Sequence, residues 1–368
     1  MSVEHIETLI IGAGQAGLAT ARNLQLTGHD CLVVDANERV GDGWRRQWDT
    51  LKLYSPAKYD GLPGLPFPGK AWSFPGKDEV ADYFETYAQH FDLPVRLNTR
   101  VDRLAAHGDG YAAACGEDTI LADNVVVATG TFGRTPFIPD FADELDPMIM
   151  QLHSSEYRRP SQLRAGPVLV VGASHSGMDI AYELATDHAT ILCGKDRGQV
   201  PARLDSPMFK VVFPLVLFLF TRVLNRSTPI GRKKMEEFRF HGGPALRVKR
   251  SDLKDRGVER LQERVIGVEN GRPVLDGDRV VDVTNVVWCT GFKQAFDWID
   301  VPIFDAAGWP TEMRGVANGS PGLYFCGLGF QYAAASMLIV GAVKDSAFVS
   351  EHIVKRMSAR TAPAVSTV

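Results

Sequence analysis

Apolar residues in this chain gather into short blocks that end in glycine, rather than into long amphipathic stripes. Leu9, Ile10 and Ile11 form the first block, and such a run suits a strand buried on both faces. Gly12, Gly14 and Gly17 follow at once, then a helical stretch from about Gln15, then a second strand over 31–34. Similar blocks recur at 124–130 (NVVVATG), 167–185 (PVLVVGASHSGMDIAYELA), 285–292 (NVVWCTGF) and 322–327 (GLYFCG). A helix is expected over 78–91, where apolar residues take helical spacing after an acidic start, and another over 332–354. Residues 93–103 and 111–114 read as strands of a small sheet. Strands alternating with helices in this way predict an α/β fold.

The intervening segments have a different texture. Residues 36–69 are dense in glycine and proline and read as a long irregular loop, a length that tends to be functional. Residues 131–164 are punctuated by Pro136, Pro139, Pro147 and Pro160 and suit a connection between domains. The end, 358–368, reads as a disordered tail.

The spacing of Gly12, Gly14 and Gly17 is GxGxxG. The first glycine permits a tight turn, the second lets a pyrophosphate approach the backbone, and the third lets helix and strand pack closely. The following helix aims free N–H groups at that phosphate. The second strand ends in Asp35, where an acid can bind a ribose hydroxyl. The pattern then repeats. Gly172, Ser174 and Gly177 stand 160 residues after Gly12, Gly14 and Gly17, and the same offset carries Asp35 onto Lys195 without a gap. An ammonium there, with Arg197 two residues on, suits a 2′-phosphate; the plainer reading is a surface lysine after a strand.

Composition narrows the class. At 368 residues two domains are expected. A hydrophobic fraction of 45% and a charged fraction of 23% are ordinary for a globular protein, and a net charge of −4 does not point to nucleic acid. No signal peptide is visible before the first strand, so the cytoplasm is the default location. The five cysteines, Cys31, Cys115, Cys193, Cys289 and Cys326, form no CxxC and no metal-ligand spacing. The most apolar run, 209–220, is too short to span a bilayer, which takes about 20 residues. Residues 222–256 then carry eleven Lys or Arg against four Asp or Glu. Three readings stay open: a buried helix beside a solvated basic face, a peripheral membrane contact through 209–256, or a wall of an apolar substrate pocket.

Two dinucleotide sites in one chain call for two cofactors that meet. The site ending in Asp35 fits the ADP half of FAD and the second fits NADPH, so that hydride could pass from nicotinamide to flavin. At this point the chain resembles the class B flavoprotein monooxygenases: flavin-containing monooxygenases, plant YUCCA enzymes and Baeyer–Villiger monooxygenases. The resemblance rests on GAGQAG at 12–17, GDGW at 41–44, LKLYSPAKYDGLPGLPFPG at 51–69, the pair NVVVATG and VVWCTGF, and GASHSGMDIA at 172–181.

The resemblance implies a two-dinucleotide-binding-domain flavoprotein, a Rossmann-like FAD domain (1–165 and 293–357) with an inserted Rossmann-like NADPH domain (166–292). It implies that Gly12, Gly14, Gln15, Ala16 and Gly17 hold the FAD pyrophosphate and Asp35 the ribose. Gly43 and Trp44 would close on the flavin, Val101 would offer backbone to the adenine, and Thr129 and Gly130 would lie at the crossover. Gly327 and Leu328 would abut the flavin, Leu328 through backbone alone. Gly172, Ser174, His175, Ser176 and Gly177 would hold NADPH, with Lys195 and Arg197 on its phosphate.

The implied activity is transfer of one oxygen atom from O2 to a small organic substrate through a hydroperoxyflavin; the alternative is an NADPH-dependent reductase or oxidase that oxygenates nothing. A disulfide reductase would need a close cysteine pair, which the chain lacks. The departures from the family also count. Phe141 is followed by Ala142 and Asp143, and His153 comes late; it is either the family's fingerprint histidine or a linker histidine satisfied by backbone. WRRQWDT lacks the Baeyer–Villiger run, which favours N- or S-oxygenation. Ser55 stands where the flavin-containing type has asparagine; it either faces the reacting centre or caps a turn. The implied mechanism has few acid–base residues, and which residues act in catalysis stays open.

Overall fold

The computed structural model describes residues 2–130, 135–200 and 202–361. The first sheet is built on Val3–Ile11, whose C-terminal half is fully buried. It pairs in parallel with Cys31–Val34 on one side and with Asp118–Val127 on the other. Val95–Arg96 extends the parallel order beyond Cys31–Val34, and Leu323–Phe325 runs parallel beside Asp118–Val127. An antiparallel meander, Arg103–His107, Gly110–Cys115 and Asp118–Val127, carries the sheet outward. Helices Gln15–Leu26, Lys77–His90 and Ile339–Thr361 belong to this unit. Their apolar sides, including Leu18, Phe84, Tyr87, Val349 and Ile353, share one core with Ile10, Val33 and Val126.

The second sheet has five strands in the order Glu259–Arg260, Thr190–Cys193, Val168–Val171, Asn285–Trp288, Met150–His153, all parallel. Val168–Val171 (VLVV) is buried at every position, as a central parallel strand should be. Met150–His153 precedes residue 166, so this sheet begins before the domain start expected there. The connection 131–164 thus supplies a strand, paired to Asn285–Trp288 through backbone and not marked by any apolar periodicity. Its Thr131, with 132–134, lies outside the described residues.

Other expectations need correction. Only Val95–Arg96, and Arg103 at the start of the next strand, are extended within 93–103. Asn98 takes a left-handed φ of 53° and its N–H binds Asn37, while the Thr99 N–H binds Asp35, so the chain wraps the end of the second strand instead of running on. The last helix begins at Ile339, not Tyr332. Ala334–Met337 is a 3-10 turn pinned by the Ser336 hydroxyl, which accepts from the N–H of Tyr332 and of Ala333. That helix runs to Thr361, so 358–361 are not a tail; 362–368 lie outside the described residues.

The apolar run forms a helix, Phe209–Phe218, that passes through Pro214 and ends in a π-helical turn, Leu219–Val223. It is not a buried helix, for within it only Phe209 and Phe213 are buried. Among the described residues no helix is long and apolar enough to cross a membrane.

Candidate active site

Both glycine turns are set by close backbone approach. Gly12 has φ +110°, and a Cβ there would lie 2.6 Å from the Ala128 carbonyl oxygen; a Cβ on Gly17 would lie 1.9 Å from the Gly12 carbonyl oxygen. Gly14 has nothing within 4 Å of its missing Cβ, which leaves open space over the turn. The helix then starts at Gln15, with Ala16 and Gly17 buried in its first turn. The second turn repeats this. Gly172 has φ +108° with the Cys289 carbonyl oxygen 2.4 Å from a built Cβ, and Gly177 would meet the Gly172 oxygen at 1.7 Å. Its helix, His175–Leu184, starts at the same 160-residue offset as Gln15.

The ends of the second strands differ. Asp35 accepts from the N–H of Ala13 (2.7 Å) and of Asn37 (2.8 Å). With Gly12, Thr99, Val101, Thr129 and Trp298 it lines a cavity of about 250 Å³. The structure thus gathers four of the expected residues, Gly12, Asp35, Val101 and Thr129, around one hollow the size of a nucleoside fragment. Gly130 follows with φ +105° and open space beside it. In the second unit Lys195 is exposed and Arg197 half-buried, and neither makes an ion pair among the described residues. The carboxylate between them, Asp196, is held by Arg250 (2.6 Å) and by the Gly198 N–H (2.7 Å). The expected register is off by one: Cys193 pairs with Val171 as Val34 pairs with Ile11, so Gly194 takes the place of Asp35, and Lys195 and Arg197 follow it.

The loop after the first unit joins the two. Gly43 and Trp44 sit in a single turn, Asp42–Arg45; Gly43 has open space beside it, and Trp44 packs against the cores of both units. Tyr54 donates to Asp179 (2.9 Å), a buried carboxylate paired with Arg247 (3.0 Å), and its ring lies 5.1 Å from that of His175. The next residue, Ser55, turns to the first unit and donates to Asp60 at 2.6 Å. Asp60 is fully buried, its Oδ2 has no partner, and burial pushes its carboxyl up to about 7. The sequence offered no reason to single out Asp60; an acid inside YDGLPGL was the only signal.

Gly327 has φ +93° and approaches the Ala16 side chain, which seats the loop after Leu323–Phe325 on the first glycine turn. The N–H groups of Gly327 and Leu328 both donate to the Gln331 side-chain oxygen (3.0 and 3.3 Å), and the Leu328 side chain is core. Leu328 is thus held through backbone, by a protein partner the sequence did not suggest.

Over the second turn lies Gly242–Gly243–Pro244, also unforeseen. Ser174 donates to the Gly243 carbonyl (2.9 Å), and His175 Nε2 lies 2.6 Å from the Pro244 carbonyl oxygen. Burial pulls the His175 pKa down. A Cβ on Gly242 would strike the Ser174 hydroxyl, so glycine is needed there. Ser176 is half-buried in the first turn of the same helix. His153 is fully buried, with Ser155 Oγ at 2.8 Å and the Gly291 carbonyl oxygen at 2.9 Å on its two ring nitrogens. Both ring nitrogens therefore have partners within the protein.

Residues 9–225, more than half the chain, match the family described as pyridine nucleotide-disulphide oxidoreductase. The chain belongs to that family. A CzcO-like oxidoreductase of Geobacillus kaustophilus is 34% identical over 353 residues, covering 95% of this chain and 99% of the relative. A probable indole-3-pyruvate monooxygenase of Arabidopsis thaliana, YUCCA1, is 32% identical over 349 residues, 87% of this chain and 84% of the relative. Among solved structures, a flavin-containing monooxygenase from Stenotrophomonas maltophilia superposes with a TM-score of 0.77 at 23% identity, covering 96% of this chain and 99% of that one.

Within the family, the chain is a class B flavoprotein monooxygenase with an α/β fold. The residues present fit both cofactors: a glycine turn open at Gly14 beside a hollow with a carboxylate, and a second turn followed by two cations that make no ion pair among the described residues. Bound FAD would supply the redox ring on which NADPH and oxygen act.

Proposed function

We propose that this protein transfers one oxygen atom from O2 to a soft nucleophile, nitrogen or sulfur, in a small organic substrate. The carrying observation is the junction at Tyr54–Ser55, where one residue binds the second unit and the next the first. Two nucleotides seated on the two turns would meet at that loop. In this reading the first sheet and the last helix form the FAD domain, and the five-stranded sheet the NADPH domain. Gly12, Gly14, Gln15, Ala16 and Gly17 hold the FAD pyrophosphate, Asp35 its ribose and Val101 its adenine. Gly43, Trp44, Thr129, Gly130, Gly327 and Leu328 line its path. Gly172, Ser174, His175, Ser176 and Gly177 hold the NADPH pyrophosphate, and Lys195 and Arg197 bind its 2′-phosphate by charge-assisted hydrogen bonds.

At this junction burial pushes the Asp60 carboxyl up to about 7 and raises that of Asp179 as well. Since Ser55 donates to Asp60 Oδ1, the proton of the neutral acid resides on the unpartnered Oδ2. Thiol chemistry has little support: burial drives Cys31 and Cys193 up to about 12 and Cys115 to about 11, away from the thiolate that disulfide exchange requires.

The test is incubation of the flavin-loaded protein with NADPH, isotopically labelled dioxygen and a panel of amines, thioethers and ketones. Labelled N-oxide or S-oxide is expected. NADPH consumption that yields only peroxide or water with every substrate would favour a reductase or oxidase, and labelled ester from ketones would favour Baeyer–Villiger chemistry.

A further inference from the structure

The helix Phe209–Phe218 leaves an apolar stripe in water. Met208, Val211, Leu215, Phe218 and Leu219 recur at steps of three and four along one face, with Val211 76%, Leu215 60% and Phe218 55% exposed. Ile230 and Phe240, on the next helix Pro229–Phe240, are exposed as well. Contiguous exposed apolar side chains of this kind mark an interaction surface.

The stripe ends beside a charged hollow. Thr221 and Arg222, in the turn after Leu219, line a cavity of about 550 Å³ whose far wall is the first turns of the last helix. Arg222, Arg314 and Lys344 all line it, and none makes an ion pair among the described residues. Arg314 is fixed between the rings of Tyr332 (4.1 Å) and Phe348 (3.8 Å), and its Nε is buried without a partner. Asp345, only 4% exposed, also lines the cavity, and its Oδ2 has no hydrogen-bond partner. The hollow therefore offers three cations to an anion and a buried acceptor to a nearby hydroxyl. An apolar stripe next to such a hollow is complementary to a phospholipid: acyl chains beside the stripe, phosphate on the cations, and a headgroup hydroxyl on Asp345.

We propose that this face docks on an anionic bilayer, with the 208–219 stripe entering the interface and the Arg222–Arg314–Lys344 hollow receiving the headgroup of a phosphatidylglycerol-like lipid. The docking does not depend on the monooxygenase reading.

Co-sedimentation of the flavin-loaded protein with phosphatidylcholine vesicles, with and without phosphatidylglycerol, tests it. Binding is expected only with the anionic lipid, and it weakens as salt rises. Val211→Asp with Leu215→Asp, both at exposed positions, abolishes binding while flavin content is kept. Arg222→Ala and Lys344→Ala each weaken it by roughly fivefold. Parent protein that stays in the supernatant with anionic vesicles at low salt overturns the proposal. So does saturable binding of soluble glycerol phosphate without any vesicle binding, which would assign the hollow to a free anion. Loss of a dimer by light scattering in the Val211→Asp, Leu215→Asp variant, with no vesicle binding by the parent, would assign the stripe to a second copy and overturn it as well.

Discussion

In the first glycine turn a Cβ on Gly17 would sit 1.9 Å from a carbonyl oxygen, and in the second a Cβ on Gly177 would sit 1.7 Å from one. The helices start 160 residues apart at Gln15 and His175. In backbone terms these are one device used twice. Thirty-five residues into the chain, however, the first device ends in a carboxylate already fixed by two backbone N–H groups. Its counterpart ends in Gly194, followed by Lys195 and Arg197, which make no ion pair among the described residues. A preset acceptor selects a free ribose hydroxyl, whereas free cations select a phosphate. The comparison teaches that one backbone turn can be followed by different chemistry, a fixed carboxylate after one strand and, one residue later, two cations after the other.

The largest effect is expected from filling either turn. Gly17→Ala cannot be accommodated without moving backbone, so the purified protein should carry no flavin, as judged by its visible absorbance. Gly177→Ala should keep flavin yet lose its anaerobic bleaching by NADPH. If both variants lost flavin equally, the two turns would not serve separate nucleotides.

Next comes the charge at the strand ends. Lys195→Asp combined with Arg197→Ala removes charge-assisted hydrogen bonds that, at a solvent-screened site, are worth together about 1.5–3 kcal/mol. The KM for NADPH should rise by about tenfold to a hundredfold, with that for NADH little changed. An unchanged NADPH preference would leave Lys195 as a surface lysine.

A smaller effect concerns the loop between the clefts. The Asp60 carboxyl is raised from its ordinary value of 3.8 to about 7 by burial. Between those pH values the unfolded chain has released this proton and the folded one has not, so Asp60 lowers stability progressively as pH rises through that window, then by a constant amount above it. Asp60→Asn keeps an acceptor for Ser55 and removes the charge. It should melt like the parent near pH 4 and be more stable by on the order of a few kcal/mol above pH 7. Equal melting at all pH values would show that Asp60 is ionised and well solvated. The smallest effect is expected from Tyr54→Phe, which removes one tie between the units while Arg247 still pairs Asp179. A loss of about 1 kcal/mol in thermal or denaturant unfolding is expected.

What the sequence disclosed follows the same line. The two turns were legible because close packing at Gly12, Gly17, Gly172 and Gly177 permits no other residue. The strand ends were legible only to within one residue: Cys193 pairs with Val171 as Val34 pairs with Ile11, so Gly194 stands in the place of Asp35 and Lys195 comes one residue later. Partners reached through space left no such trace. Nothing local links Ser55 to Asp60, Gly242 to Ser174, or Gln331 to the backbone of Gly327. Met150–His153 was missed because its place in the sheet is set by pairing with Asn285–Trp288, not by an apolar pattern. The run at 209–220 misled in the opposite sense, since hydrophobicity alone says that a surface is apolar and not what covers it.

The most direct measurement is an anaerobic titration of the flavin-loaded protein, followed by visible absorbance, with NADPH and then NADH. The proposed pairing of a flavin turn with an NADPH turn predicts stoichiometric bleaching by NADPH and much slower bleaching by NADH, the gap closing when Lys195 is replaced by Asp. A flavin that stays oxidised under excess NADPH would contradict the account.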